Sequence, residues 1–168
     1  PPLLEALGIP EDAWQQPRVD RLSLSFRNEA LAFILLHELG HILFQHKGYD
    51  DVTREQARRD ETQSDRFALD VLARTGTPPL GAVMFFQAQF YSLPTRGEFD
   101  TPGDWQDYLY QRATHPLTED RLRDLSRYIS GRLAESRPRE FAIWRYIGLG
   151  LDQIIATLRD VDLQRCII

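Results

Sequence analysis

With 168 residues, 42% of them hydrophobic and 11% aromatic, the chain has enough apolar material for one core and is too short to expect two. A formal net charge of -5 and a pI near 5.4 offer little to attract backbone phosphates, which argues against a nucleic-acid partner. The single cysteine, Cys166, excludes an internal disulfide and fits a reducing, cytoplasmic setting; it stands third from the end, where a prenylation box needs it fourth.

In chain order, residues 1–17 are punctuated by proline and read as a short helix plus loop. Arg21 to Phe26 alternates polar and apolar, with Leu22, Leu24 and Phe26 on one face, the period of a half-buried strand. Asn28 is placed to cap a helix with Glu29 in its first turn, running to about His46 and stopped by Gly48. The Ala30 to Leu36 part of that helix is apolar all round, which implies burial. A second helix is expected over about Arg54 to Arg74, ended by Gly76 and Pro78, and a third over about Leu80 to Tyr91. Pro94 to Asp104 reads as a loop or flap, followed by an aromatic-rich helix over Trp105 to Arg112. Pro116 suits the first position of a helix whose Leu122, Leu125, Ile129 and Leu133 form an apolar stripe, and a last helix is expected over about Arg139 to Arg159.

The sum is a mainly α domain with a small β-sheet, of the α+β class. No stretch reads as a membrane span: Ala30 to Leu36 is too short, and Phe141 to Leu158 is interrupted by Arg145 and Asp152. The chain begins at Pro1-Pro2 without a methionine, which is compatible with an anchor or signal upstream in a longer protein.

The chemistry concentrates in His37-Glu38-Leu39-Gly40-His41. Histidines four apart on a helix lie roughly 40° apart around its axis, one turn above each other, so both can offer a nitrogen to one zinc ion. Glu38, about 100° further round than His37, can reach a water at the metal without ligating it and act as general base. A catalytic zinc takes three protein ligands and keeps one position open. Glu61, 20 residues beyond His41, supplies a third, and Asp65 one helical turn later can accept the outward N–H of a ligating histidine, His37 being the expected one. Both carboxylates share a stripe with Ala57, Ser64, Ala68 and Leu72, so they point inward, where a cation offsets the cost of burying them. The competing reading pairs Glu61 with neighbouring Arg58 and Arg59 on an exposed face, and Glu55 is a weaker alternative ligand. Gly40 costs about 1 kcal/mol in a helix relative to alanine and is expected to admit another element close to the metal helix. His46, past the metal-facing turn, is expected to be solvated at the helix end.

This pattern resembles the gluzincin metallopeptidases, and more narrowly the HtpX and CAAX-prenyl-endopeptidase (Ste24-like) family. The apolar run into His37-Glu38-Leu39-Gly40-His41 is similar to that family's metal helix, and His46 to a histidine found one turn beyond. Glu61-Thr62-Gln63-Ser64-Asp65 stands where the family carries ExEAD, with Gln63-Ser64 in place of Glu-Ala. Leu72 to Gly76 through Phe86 resembles a further segment, and Ala113-Thr114-His115-Pro116 with Arg121 resembles the family's STHPxxxxRI element. The resemblance implies a zincin-like metallopeptidase domain over 1–168, with a family-like core over about 18–135 and a C-terminal helical extension over about 138–168. It implies that His115 and Arg121 approach the metal and assist catalysis. The family's transmembrane helices have no counterpart here, although a longer protein could carry an anchor.

The expected function is a zinc-dependent endopeptidase acting on peptide or protein substrates. His37, His41 and Glu61 hold Zn²⁺, Glu38 moves the proton, and His115, with Arg121, stabilises the oxyanion. The strand at Leu22 to Phe26 would pair with an extended substrate. Two rivals stand beside this reading: a regulatory protease resembling ImmA/IrrE-type proteins, and a catalytically silent, zinc-stabilised interaction module in which His115 closes the fourth position.

Overall fold

A computed structural model describes residues 10, 12–48, 51–92, 94, 96–111, 117–136 and 141–159. Helix α1 spans Pro17–Leu43, α2 Arg54–Thr75, α3 Leu80–Ser92, α4 Pro102–Gln111, α5 Glu119–Tyr128 and α6 Phe141–Arg159. Helix α5 runs on through a π-helical stretch, Ile129–Leu133, into one more α turn, Ala134–Ser136. No strand occurs among the described residues, so the fold is all-α and the expected small sheet is absent.

The error lies at Arg21 to Phe26, which forms part of α1. Six alternating residues are too short a window to separate the two periods. Pro17 at the first helical turn and Asp20 beside it start the helix well upstream of Asn28. Leu22 and Leu24 are both exposed, at 47% and 38%, and no neighbouring strand offers hydrogen bonds. A helical segment presents no sheet edge, so the expected pairing of Leu22 to Phe26 with an extended substrate does not hold.

At its other end α1 stops at Leu43, before the expected His46. Gln45 adopts a left-handed φ of 56°, and the turn closes with His46 N–H donating to His41 O and Gln45 N–H to Ile42 O. This is the six-to-one and five-to-two pair of a Schellman ending, built on glutamine rather than on Gly48. Its effect is to fold His46 back over the last turn of the helix.

Helix α2 begins where Thr53 Oγ1 accepts the Gln56 N–H and ends at Gly76, φ 76°, as the sequence suggests. Helix α4 starts three residues earlier than expected. Thr101 and Asp104 cap each other reciprocally, with Pro102 at the first turn, so part of the expected flap is helical. Helix α5 begins at Glu119, capped by Thr118; the proposed start at Pro116 lies outside the described residues.

Helix α1 packs on α2 and α3, while α5 and α6 pair and close against α2 and α3. The core between them contains Phe33, Leu69, Phe86, Leu122, Trp144 and Leu151, all fully or almost fully buried. Two glycines let α1 be approached at backbone distance. A Cβ on Gly81 of α3 would fall 2.2 Å from the Glu29 carbonyl carbon, and one on Gly40 would fall 3.0 Å from Ser64 Cα on α2. The second contact sets how near α2 stands to the histidines. No helix among the described residues is long and apolar enough to cross a membrane.

Candidate metal centre

His37 and His41 occupy successive turns of α1 and face α2, where Glu61 and Asp65 are likewise one turn apart. His37, Glu61 and Asp65 are buried and His41 is half-buried. The two histidine Nε2 atoms are 3.0 Å apart. Glu61 Oε1 lies 3.1 Å from His41 Nε2, and Glu61 Oε2 lies 3.6 Å from His37 Nε2. These three residues form a group that could hold a metal ion.

The group passes a test of fit. Ligand atoms around a tetrahedral zinc with bonds of about 2.0–2.1 Å stand about 3.3–3.4 Å from one another. The three separations here bracket that value. His37 Nδ1 is buried 2.8 Å from Asp65 Oδ1 without an aligned hydrogen bond. Because an ionised carboxylate can only accept, the pairing suits the tautomer with its proton on Nδ1 and an electron pair on Nε2. That pair points toward a carboxylate and a second imidazole nitrogen, an arrangement a cation resolves. Two imidazoles and one carboxylate are also a donor set that zinc accepts.

Arg121 reaches this group from α5, and its position differs from a substrate-facing one. It is 4% exposed, and its guanidinium bonds three carboxylate oxygens. Nε donates to Asp65 Oδ2 at 2.6 Å, Nη2 to Asp65 Oδ1 at 2.8 Å, and Nη1 lies 2.7 Å from Glu61 Oε2. The same guanidinium sits over the Phe86 ring, 5.1 Å from its centroid. Its chain neighbours Glu119 and Asp120 bond Arg123. Burial pushes the Asp65 carboxyl up, but the charge and hydrogen bonds of Arg121, joined by His37, outweigh that and hold its pKa below 3.8. Asp65 therefore stays ionised beside His37.

Glu38 lies on the exposed side of α1, one residue past His37. Glu55 is exposed and bonds Arg59 at 2.6 Å, away from the cluster, whereas Glu61 is 1% exposed and so takes no part in a solvated arginine network. His115 lies outside the described residues.

One participant goes beyond the sequence reading. His46 is not solvated at the helix end: its side chain is 6% exposed, and its Nδ1 lies 3.0 Å from His41 Nδ1. Its Nε2 lies 3.2 Å from Gln63 Oε1 and 3.6 Å from Asp60 Oδ1, and Ser64 Oγ approaches its Nδ1 at 3.4 Å. The return of the chain at Gln45 produces this contact, and a glutamine in the left-handed region leaves little trace in sequence.

Among known families, the model described as Peptidase U49 matches residues 14–146, a span that includes every element from α1 to α5. The match is to this peptidase family and not specifically to the HtpX and CAAX-prenyl-endopeptidase family that the motifs resemble. No curated protein and no solved structure matches the chain.

Proposed function

We propose that the chain is a zinc-dependent endopeptidase, starting from the fact that it belongs to the Peptidase U49 family. The observation that carries the metal reading is the convergence of His37, His41 and Glu61 at ligand spacing, with the Nδ1 of His37 held by Asp65. These three residues would hold the ion, and when bound it would supply a Lewis acid that polarises the scissile carbonyl and acidifies water. Glu38 then accepts the proton of the attacking water and returns it to the leaving amine. Its exposed position on α1 suits contact with both water and substrate. Leu35, Leu39 and Ile42, exposed at 68%, 47% and 73%, stand within one turn of Glu38 and offer apolar surface to a peptide.

The remaining residues act on these. Asp65 orients His37, and Arg121 keeps Asp65 and Glu61 ionised and aimed, so we read Arg121 as a positioning residue. His115 retains, on the motif resemblance, the part of oxyanion donor. Glu38 also favours catalysis over a silent interaction module, because a purely structural ion needs no base.

The test uses zinc content and cleavage together. Purified protein should contain one zinc per chain by mass spectrometry and cleave casein or a peptide library. Glu38→Gln should keep the zinc and lose cleavage by a factor of 10² or more, as removal of a general base does. A Glu38→Gln protein that cleaves at the normal rate, or a normal chain that takes up no zinc, would overturn the reading.

A further inference from the structure

We propose that His46 is a positioning residue that fixes His41 as the tautomer protonated on Nδ1, leaving Nε2 free to ligate. The inference rests on the metal reading above and assigns a residue that reading does not use.

The argument runs inward from the acceptors around His46. Its Nε2 faces Gln63 Oε1 at 3.2 Å and the Asp60 carboxylate at 3.6 Å. An ionised carboxylate only accepts, and the carbonyl end of Gln63 only accepts, so Nε2 of His46 carries the proton. In a neutral imidazole the other nitrogen is then an acceptor. That acceptor, Nδ1, lies 3.0 Å from His41 Nδ1, which is the donor once an ion shared with Glu61, whose Oε1 is 3.1 Å from His41 Nε2, takes the Nε2 electron pair. Ser64 Oγ, 3.4 Å from the same Nδ1, is a hydroxyl able to donate to it as well. His41 is thus left with its electron pair on Nε2, the atom that faces His37 and Glu61.

The two histidines of the site are therefore held by different chemistry. His37 is backed by a carboxylate, Asp65, which is itself tied to Arg121. His41 is backed by an imidazole, that of His46. Gln63 and Ser64, the two positions at which this chain departs from the ExEAD pattern it resembles, are both within reach of His46. A glutamate at 63 would still accept from Nε2, but would add a second charge beside Asp60.

The experiment compares zinc affinity in His46→Ala and His46→Asn by competition with a chromophoric chelator, alongside cobalt absorption and nitrogen-15 histidine spectra of the zinc-loaded protein. The Oδ1 of asparagine falls close to the place of histidine Nδ1 and can accept from His41. His46→Ala should bind one zinc about 10- to 100-fold more weakly, as loss of an outer hydrogen-bond partner does, and His46→Asn should recover most of that. The spectra of the unaltered protein should show Nδ1–H on His41 and Nε2–H on His46. Should either variant refuse to fold, a scalar coupling across the hydrogen bond from His41 Nδ1–H to His46 Nδ1 decides in their place, and its absence overturns the inference. Equal affinity in all three proteins, or Nδ1 of His41 found unprotonated, overturns the inference while leaving the hydrolase reading intact. Cobalt spectra that change coordination number on His46→Ala also overturn it, by making His46 a ligand. A chain without zinc uptake overturns both.

Discussion

At the scale of single residues, Arg121 carries the greatest consequence. Two carboxylates within one helical turn are buried against each other, and one guanidinium answers both. Removing it leaves two buried carboxylates with the histidines beside them but no permanent positive charge. Arg121→Ala is expected to lose about 3–5 kcal/mol in urea unfolding of the metal-free protein. Arg121→Lys should recover only part, because a single ammonium cannot present a fork to Asp65 while reaching Glu61. Zinc should restore more stability to Arg121→Ala than to the unaltered chain, since the ion supplies positive charge beside Glu61. Tyr128 offers an independent test at high pH. Its hydroxyl donates to Asp70 at 2.6 Å, and burial, then the hydrogen bond and charge of Asp70, raise its pKa from 10.0 to about 12. The native state keeps this proton after the unfolded state has released it, so the contribution is complete below pH 10 and declines as pH rises towards 12. Urea midpoints at pH 8 and 11 should show the advantage over Tyr128→Phe shrinking at the higher pH.

At the scale of elements, the distance between α1 and α2 is set at Gly40. A Cβ there would meet Ser64 Cα at 3.0 Å and its Cβ at 3.2 Å, and backbone cannot swing aside as a side-chain tip can. Gly40→Ala should therefore gain helix propensity yet lose about 1–3 kcal/mol to overpacking. It should also weaken zinc binding, because Glu61 stands on the displaced helix; calorimetry and chelator competition measure the two effects. Much of this pair was legible beforehand. The spacing of His37 and His41 and the inward stripe of Glu61 and Asp65 follow from helical period, and the close approach at Gly40 from the cost of a glycine inside a helix. What escaped has a physical reason in each case. Leu22, Leu24 and Phe26 satisfy a strand pattern over a window in which a helix begun at Pro17 was already committed. Asp104 caps through Thr101, a reciprocal pair hidden in a segment rich in proline and glycine. His46 turns back because Gln45 adopts a conformation that favours glycine. The partners of Arg121 lie on another helix, beyond anything that neighbouring Glu119 and Asp120 suggest.

At the scale of the molecule, the proposed metal binding would form one equilibrium with folding. The donors come from two helices that must be in contact for the site to exist, so the zinc ion proposed above would stabilise the folded chain by mass action. At a free concentration 100 times the dissociation constant this amounts to about 2.7 kcal/mol. A thermal scan should show the midpoint rising with zinc and falling to the metal-free value with chelator, and Glu61→Gln should blunt the response. The donors of α1 and α2 sit close in the chain, whereas Arg121 arrives from a helix 56 residues beyond Asp65. That makes the first half of the polypeptide dependent on the second. A chain severed between α4 and α5 keeps His37, His41 and Glu61, yet loses the counter-charge that permits Glu61 and Asp65 to be buried together. The ligands are local, but the permission to assemble them is not.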